Sequence, residues 1–233
     1  WRRRRRMISS PILQTLRMLT DTVICGVSGG KDSLAVLDLC HAAGFQVRAY
    51  FGYLVPDLEF QESVLRYCEA RYSVSILRLP HWQLSHFLQR ATFRRHSTIS
   101  TNTPAVSVQE WEHYIRETCA AQWIVTGEKI ADSLWRRGML KHCQGLSRQR
   151  HRAYPLATWT NSQVFAYLLH RRIPLPSSYR YIPRSFGELF GKDLYVIAEH
   201  FPRDYEKILA MFPFADAAVQ REKLYGKNAI PKV

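Results

Sequence analysis

No stretch of this chain comes near the roughly 20 consecutive apolar residues that a membrane-spanning helix needs, and its N-terminus carries no apolar signal core. A soluble, cytoplasmic protein with no membrane partner is therefore expected. Cysteine is scarce: Cys25, Cys40, Cys68, Cys119 and Cys143 make an odd set with no C-x-x-C pair. Such a set argues against a disulfide framework, a cysteine-clamped zinc or an iron–sulfur cluster. Residues 144–233 contain no cysteine at all, and no internal repeat is visible.

Acidic residues are also few. Asp and Glu number 19 against 33 Lys and Arg, for a formal charge of +14. Five of those charges lie in the opening WRRRRR, which precedes Met7 and reads as an added leader or upstream read-through. The remainder is still basic, and this points to polyanionic partners, either nucleic acid or highly phosphorylated nucleotides. With 233 residues and 46% hydrophobic content the chain can bury one substantial core, as one domain or one plus an appendage.

What is present is VICGVSGGKDSLAVLDLC, residues 23–40. Val23, Ile24 and Val27 form a short apolar run, and Leu34, Leu37 and Cys40 recur at helical spacing. The glycines between them sit at a strand-to-helix junction, where a helix N-terminus offers unpaired amides and partial positive charge. Ser28, Gly29, Gly30, Lys31, Asp32 and Ser33 therefore read as a phosphate cradle. The mononucleotide loop G-x-x-x-x-G-K-[ST] fails, because Cys25 holds its first glycine position and Asp32 separates Lys31 from Ser33. Gly26, Gly29 and Gly30 have the wrong intervals for the dinucleotide fingerprint.

Apolar runs at 22–27, 46–53, 74–79 and 122–126 predict strands, and helical patterns fill 31–43, 57–71, 82–90 and 107–120. Their alternation predicts an α/β fold: a parallel twisted sheet with helices on both faces. Residues 91–106 and 138–154 read as irregular. Thr160 or Asn161 caps a helix built on Val164, Phe165, Leu168 and Leu169, and the tail holds short helices broken at Pro183, Pro202 and Pro213. No boundary is clean, but the chain divides into a leader and entry segment (1–19), a core domain (20–180) and an irregular, mainly helical extension (181–233).

A second constellation, TGEKIADSLWRRGML, begins at Thr126 at the carboxyl end of the fourth strand. Ligands of open parallel sheets bind at that edge. Gly127 lets backbone approach a ligand closely, while Lys129, Arg136 and Arg137 offer cations to phosphate or sulfate oxygens.

Ser28–Ser33 resembles the SGGxDS loop of the PP-loop ATP pyrophosphatase superfamily. The order of that loop, then Thr126, Gly127, Lys129, Asp132, Ser133 and Arg136, then Pro155, Leu156, Trp159, Thr160, Val164, Tyr167 and Leu168, is similar to the phosphoadenosine phosphosulfate (PAPS) reductase branch. The resemblance spans roughly residues 20 to 180. It implies an adenine-nucleotide α-hydrolase-like fold and a nucleotide-binding core domain. It also implies ATP or PAPS, with Mg²⁺, bound by Ser28–Ser33, Gly127, Lys129, Arg136 and Arg137. Lys31 would neutralise phosphate charge, Asp32 would hold Mg²⁺ or orient water, and Arg136 would steady the leaving group.

Two departures weigh on the reaction. Sulfonucleotide reductases carry a nucleophilic cysteine in a C-terminal Glu-Cys-Gly-x-His tail, which is missing here, and Thr158 stands where an acidic residue commonly precedes the Trp-Thr pair. The leading expectation is therefore cleavage of ATP to AMP and pyrophosphate, adenylating an acceptor for sulfur transfer. Basicity suggests a nucleic-acid acceptor, with sulfur supplied by a partner such as a cysteine desulfurase. Two alternatives stand beside it: a sulfonucleotide reductase in which Arg148 or Arg152 also grips PAPS, and a non-catalytic nucleotide- or DNA-binding subunit. Cys143, flanked by Lys141 and His142, reads as a buried small hydrophobe, and Cys25 and Cys40 read as core.

Overall fold

Val23, Ile24 and Cys25 are completely buried, because β1 (Thr22–Gly26) has a neighbour on either side in a six-stranded sheet and apolar cover on its faces. A continuous apolar run is what such a strand requires. The computed structural model describes residues 10–226, so the arginine leader lies outside the described residues. After α1 (Pro11–Arg17), β1 and α2 (Lys31–Ala42) come β2 (Gln46–Tyr53), α3 (Glu59–Tyr72), β3 (Ile76–Pro80), α4 (Trp82–Gln89) and α5 (Thr98–Asn102). Then follow α6 (Val108–Cys119), β4 (Trp123–Val125), α7 (Leu134–Cys143), β5 (Leu146–Ser147), β6 (Arg152–Ala153) and α8 (Asn161–His170). A short 3₁₀ turn (Ser177–Arg180) leads to α9 (Gly191–His200), α10 (Pro202–Met211) and α11 (Ala215–Tyr225).

The sheet order is β3-β2-β1-β4-β6-β5. β1 pairs in parallel with β2 (Cys25 opposite Ala49) and with β4 (Ile24 opposite Ile124). β4 pairs in parallel with β6, and β5 pairs antiparallel with β6. The expected parallel α/β sheet is thus present. Two stretches read as irregular are more ordered than expected: α5 lies within 91–106, and α7, β5 and β6 occupy much of 138–154. Two-residue strands are too short to show a period, and Gly138 masks the continuation of α7.

The chain forms two compact units, interleaved in sequence. The first comprises residues up to Phe51, Leu65–Arg78 and Glu112–Leu175. Within it Asp38 of α2 is 1% exposed yet fully satisfied. It accepts from Tyr167 Oη at 2.5 Å, Arg171 Nε at 2.7 Å, Arg171 Nη2 at 3.2 Å and Tyr72 Oη at 3.2 Å. A buried carboxylate persists only with such pairing, and this one ties α8 to α2. Thr160 caps α8 through a complete capping box with Gln163.

The second unit comprises Gly52–Val64, Leu79–Trp111 and the chain from Pro176 onward. Its core gathers Leu54, Leu58, Phe60, Ile182, Leu194, Ile197, Ile208 and Phe212. Asp204 of α10 accepts from the amides of Glu59 (2.7 Å) and Phe60 (3.0 Å), capping α3 from far along the chain. His81 stands beside Trp111, ring centroids 4.9 Å apart, and Nδ1 accepts from Gln83 N–H at 3.4 Å at the start of α4.

Burial pushes the His81 pKa down to about 4. Its unfolded value is near 6.5, so the unfolded chain binds the extra proton between these values. Its contribution is whole above pH 6.5 and is lost as pH falls from 6.5 towards 4, about 3 kcal/mol in all. His81→Asn keeps an acceptor for Gln83 and removes the titration. Urea unfolding at pH 7 and pH 5 should show a smaller acid loss for this variant than for wild type; equal losses would contradict the assignment.

Candidate functional site

β1 and β4 lie side by side, but the chain leaves β1 toward β2 on one side and returns through β4 on the other. That reversal is a topological switch point, where the loops at the strands' carboxyl ends diverge and open a crevice. The two loops there are Val27–Gly30 and Thr126–Ser133. The first turns at Gly29 (φ 76°) and enters α2 at Gly30, which is the N-cap and gives no side-chain cap. Neither Asp32 nor Ser33 caps the helix. Instead Ser33 Oγ donates to the Gly30 carbonyl at 2.9 Å and accepts from Ser28 Oγ at 3.2 Å, closing the loop on itself. No side chain caps the first-turn amides of α2, the arrangement an anion needs.

Beside that turn lies a chain of charges. Lys129 is 0% exposed, the largest fully buried side chain among the described residues. Its Nζ is 2.8 Å from Asp32 Oδ1 and 3.0 Å from Asp132 Oδ1. Lys31 Nζ is 2.7 Å from Asp32 Oδ2, and Arg136 Nη1 is 3.3 Å from Asp132 Oδ2. The contact between Lys129 Nζ and Asp32 Oδ1 has ion-pair distance without hydrogen-bond alignment, leaving both buried atoms short of a directed partner. Three cationic groups thus alternate with two carboxylates, and the balance favours an anion. Burial raises the Asp132 pKa, but the Lys129 amide, the Lys129 ammonium and Arg136 outweigh it and hold the carboxyl below its ordinary value. Gly127 makes the closeness of the two loops tolerable: a Cβ there would come within 2.9 Å of Asp32 Cβ.

The structure therefore brings together Lys31, Asp32, Lys129 and Arg136 beside the Ser28–Ser33 turn and Gly127. Arg137 is exposed on α7, one residue on from Arg136 and so about 100° round the helix. Asp132 joins the site, where the sequence reading used it only as part of a motif. A second group gathers round Arg152, which the reductase alternative assigns to PAPS; its carboxylate partners carried no signal in the sequence. Arg152 Nη1 contacts Glu112 Oε1 at 2.6 Å, while Nη2 reaches Thr126 Oγ1 at 3.2 Å and Glu128 Oε1 at 3.5 Å. Glu128 Oε2 and Arg152 Nε are buried without hydrogen-bond partners. Arg148 is exposed, and Cys143 packs with the Leu140, Tyr154 and Ala157 cluster. Among the described residues no three His, Cys, Asp or Glu side chains form a metal cluster, and no helix is long and apolar enough to cross a membrane.

A mostly parallel sheet whose switch point holds an uncapped turn with Lys31, and Lys129 beside it, defines an α/β protein of the nucleotide-binding kind. The chain belongs to the phosphoadenosine phosphosulfate reductase family, whose domain matches residues 22–188. No curated protein matches it. Among solved structures it is similar to the FMN adenylyltransferase of Candida glabrata in complex with ATP, with 17% identity over 69% of this chain and 50% of that one, TM-score 0.46. It is also similar to the NH₃-dependent NAD synthetase of Campylobacter jejuni in complex with the nitrate ion, with 14% identity over 98% and 96% of the two chains, TM-score 0.48.

Proposed function

We propose that this protein cleaves ATP between the α- and β-phosphates and adenylates an acceptor, which a sulfur donor then attacks. The observation that carries the reading is the alternation Lys31–Asp32–Lys129–Asp132–Arg136 beside the uncapped N-terminus of α2. Phosphate oxygens take the place of carboxylate oxygens for Lys31 and for the amides of the Ser28–Ser33 turn. An acceptor oxygen forms a bond to the α-phosphorus while the bond to the bridging oxygen breaks, and pyrophosphate carries away the electron pair. Lys31 and Arg136 offset the charge that gathers on the leaving group. Lys129, held between two aspartates, fixes the direction of Asp32. When Lys31 turns to phosphate it frees one side of the Asp32 carboxylate, and Asp32 is the residue that would hold Mg²⁺. That ion supplies charge neutralisation at the triphosphate when bound.

Sulfur transfer follows when the terminal sulfur of a persulfide on a partner such as a cysteine desulfurase bonds to the adenylated carbon or phosphorus and AMP leaves with the electron pair. A second thiol then cleaves the acceptor–S–S–partner disulfide, freeing the thiolated product and forming a thiol–partner disulfide. The basic chain supports nucleic acid as the acceptor. The sulfonucleotide reductase reading is weaker, because Cys143, the thiol that follows the second constellation, packs against an apolar cluster. Separation of nucleotide products tests the proposal: AMP and pyrophosphate from ATP support it, and ADP with inorganic phosphate overturns it.

A further inference from the structure

Helix α7 turns almost its whole length to solvent. Leu140 is its buried residue, with Met139 and Cys143 half-buried on the same side, and Arg136 on that side reaches back to Asp132. The opposite face carries Leu134 and Trp135, 81% and 72% exposed, together with Arg137, Gly138, Lys141 and His142. An exposed indole beside an exposed leucine marks a contact surface. From the helix onward, as far as Gly187, the chain carries charge of one sign. From Ser133 to Gly187 the chain has no aspartate or glutamate, while Arg137, Lys141, Arg148 and Arg150 are exposed within that span.

Gly138 adds an independent observation. Glycine in a helix interior is destabilising relative to alanine. Here no neighbour demands it, since a Cβ at Gly138 would meet nothing within 4 Å. A bare backbone at the centre of an exposed face permits close approach from outside.

We propose that this face of α7 docks single-stranded nucleic acid. A base stacks on Trp135, the sugar–phosphate backbone passes over Gly138, and phosphates meet Arg137, Lys141 and Arg148. A second copy of the chain fits less well, because like cations would face each other across the contact. Duplex hides the base faces that an exposed indole engages. The proposal rests on the reading of a nucleic-acid acceptor, and places it on the helix that begins directly after the Lys129–Asp132 site.

Fluorescence anisotropy with a labelled 20-nucleotide oligothymidine, full-length protein and no ATP tests it at 50 and 200 mM salt. Binding should weaken with salt, Trp135→Ala should weaken it at least about fivefold, and Lys141→Ala should reduce the salt slope by about 0.7. Gly138→Leu should weaken binding severalfold without lowering the melting temperature, which separates docking from folding. Absence of binding at 50 mM salt, indifference to both Trp135→Ala and Gly138→Leu, or stronger binding of duplex would overturn the proposal. So would sedimentation showing that these substitutions dissolve a dimer instead. AMP and pyrophosphate from ATP without oligonucleotide binding would remove the docking surface alone. Trp135-dependent binding without ATP cleavage would remove the catalytic reading alone.

Discussion

Replacing Lys129 with methionine should cost about 3–5 kcal/mol of stability, the usual result of removing one partner from a buried ion pair. Methionine matches the length of the lysine stem but leaves Asp32 and Asp132 facing each other without the ammonium that sits 2.8 and 3.0 Å from them. For a chain of this size the melting temperature should fall by roughly 10 °C. The deficit should shrink in acid. Burial raises the Asp132 carboxyl, but Lys129 is the main partner that holds it below its ordinary value, so wild type loses that contribution as pH falls through the carboxylate range while the variant has less to lose. A second substitution, Asp132→Asn, removes one of the opposed charges and should restore part of the loss, a coupling that a double-mutant cycle measures. Thermal unfolding of the two single variants and the double variant checks all three points. A Lys129→Met protein within about 1 kcal/mol of wild type, with no acid recovery, would show that the buried ammonium does not hold the two loops together.

Lys31→Ala should have the opposite profile. Lys31 is partly buried, its side chain 14% exposed, and Asp32 keeps Lys129 when it is gone. The cost to folding is therefore small, about 1 kcal/mol. Turnover should fall by 10²–10³-fold, the range for removing one preorganised charge from a developing anion. The loss should appear in kcat more than in KM, because the charge that Lys31 offsets grows as the leaving group departs. Steady-state kinetics beside a melting curve separate the two effects. A variant that folds normally and turns over ATP at the wild-type rate would remove Lys31 from the mechanism.

Most of the scaffold was legible because its elements are strongly periodic. β1 reads as an unbroken apolar run since it is buried on both faces, and α2 follows at once with Leu34, Leu37 and Cys40. The Ser28–Ser33 turn was legible as a strand-to-helix junction for the same local reason: strand, glycines and helix start are contiguous. β6 was not, because its two residues, Arg152 and Ala153, are neither β-branched nor aromatic, and Arg152 is held there by contacts with Glu112, Thr126 and Glu128. The burial of Lys129 was also hidden. Lysine is the residue type least expected inside a protein. A reading of charge anticipates it beside phosphate but not enclosed by Asp32 and Asp132, which lie about 100 residues apart in sequence and meet only when β1 and β4 pair. Asp38 is similar: its partners Tyr167 and Arg171 come from a helix more than 120 residues away.

The most direct test of the central claim is the position at which the nucleotide is cut. Purified protein with Mg²⁺ and ATP, or separately with PAPS, each with and without single-stranded nucleic acid, would be resolved into AMP, ADP, pyrophosphate and adenosine 3′,5′-bisphosphate. The account predicts AMP and pyrophosphate from ATP, with the rate raised by nucleic acid. ADP with inorganic phosphate, or adenosine 3′,5′-bisphosphate with sulfite from PAPS and no cleavage of ATP, would contradict it.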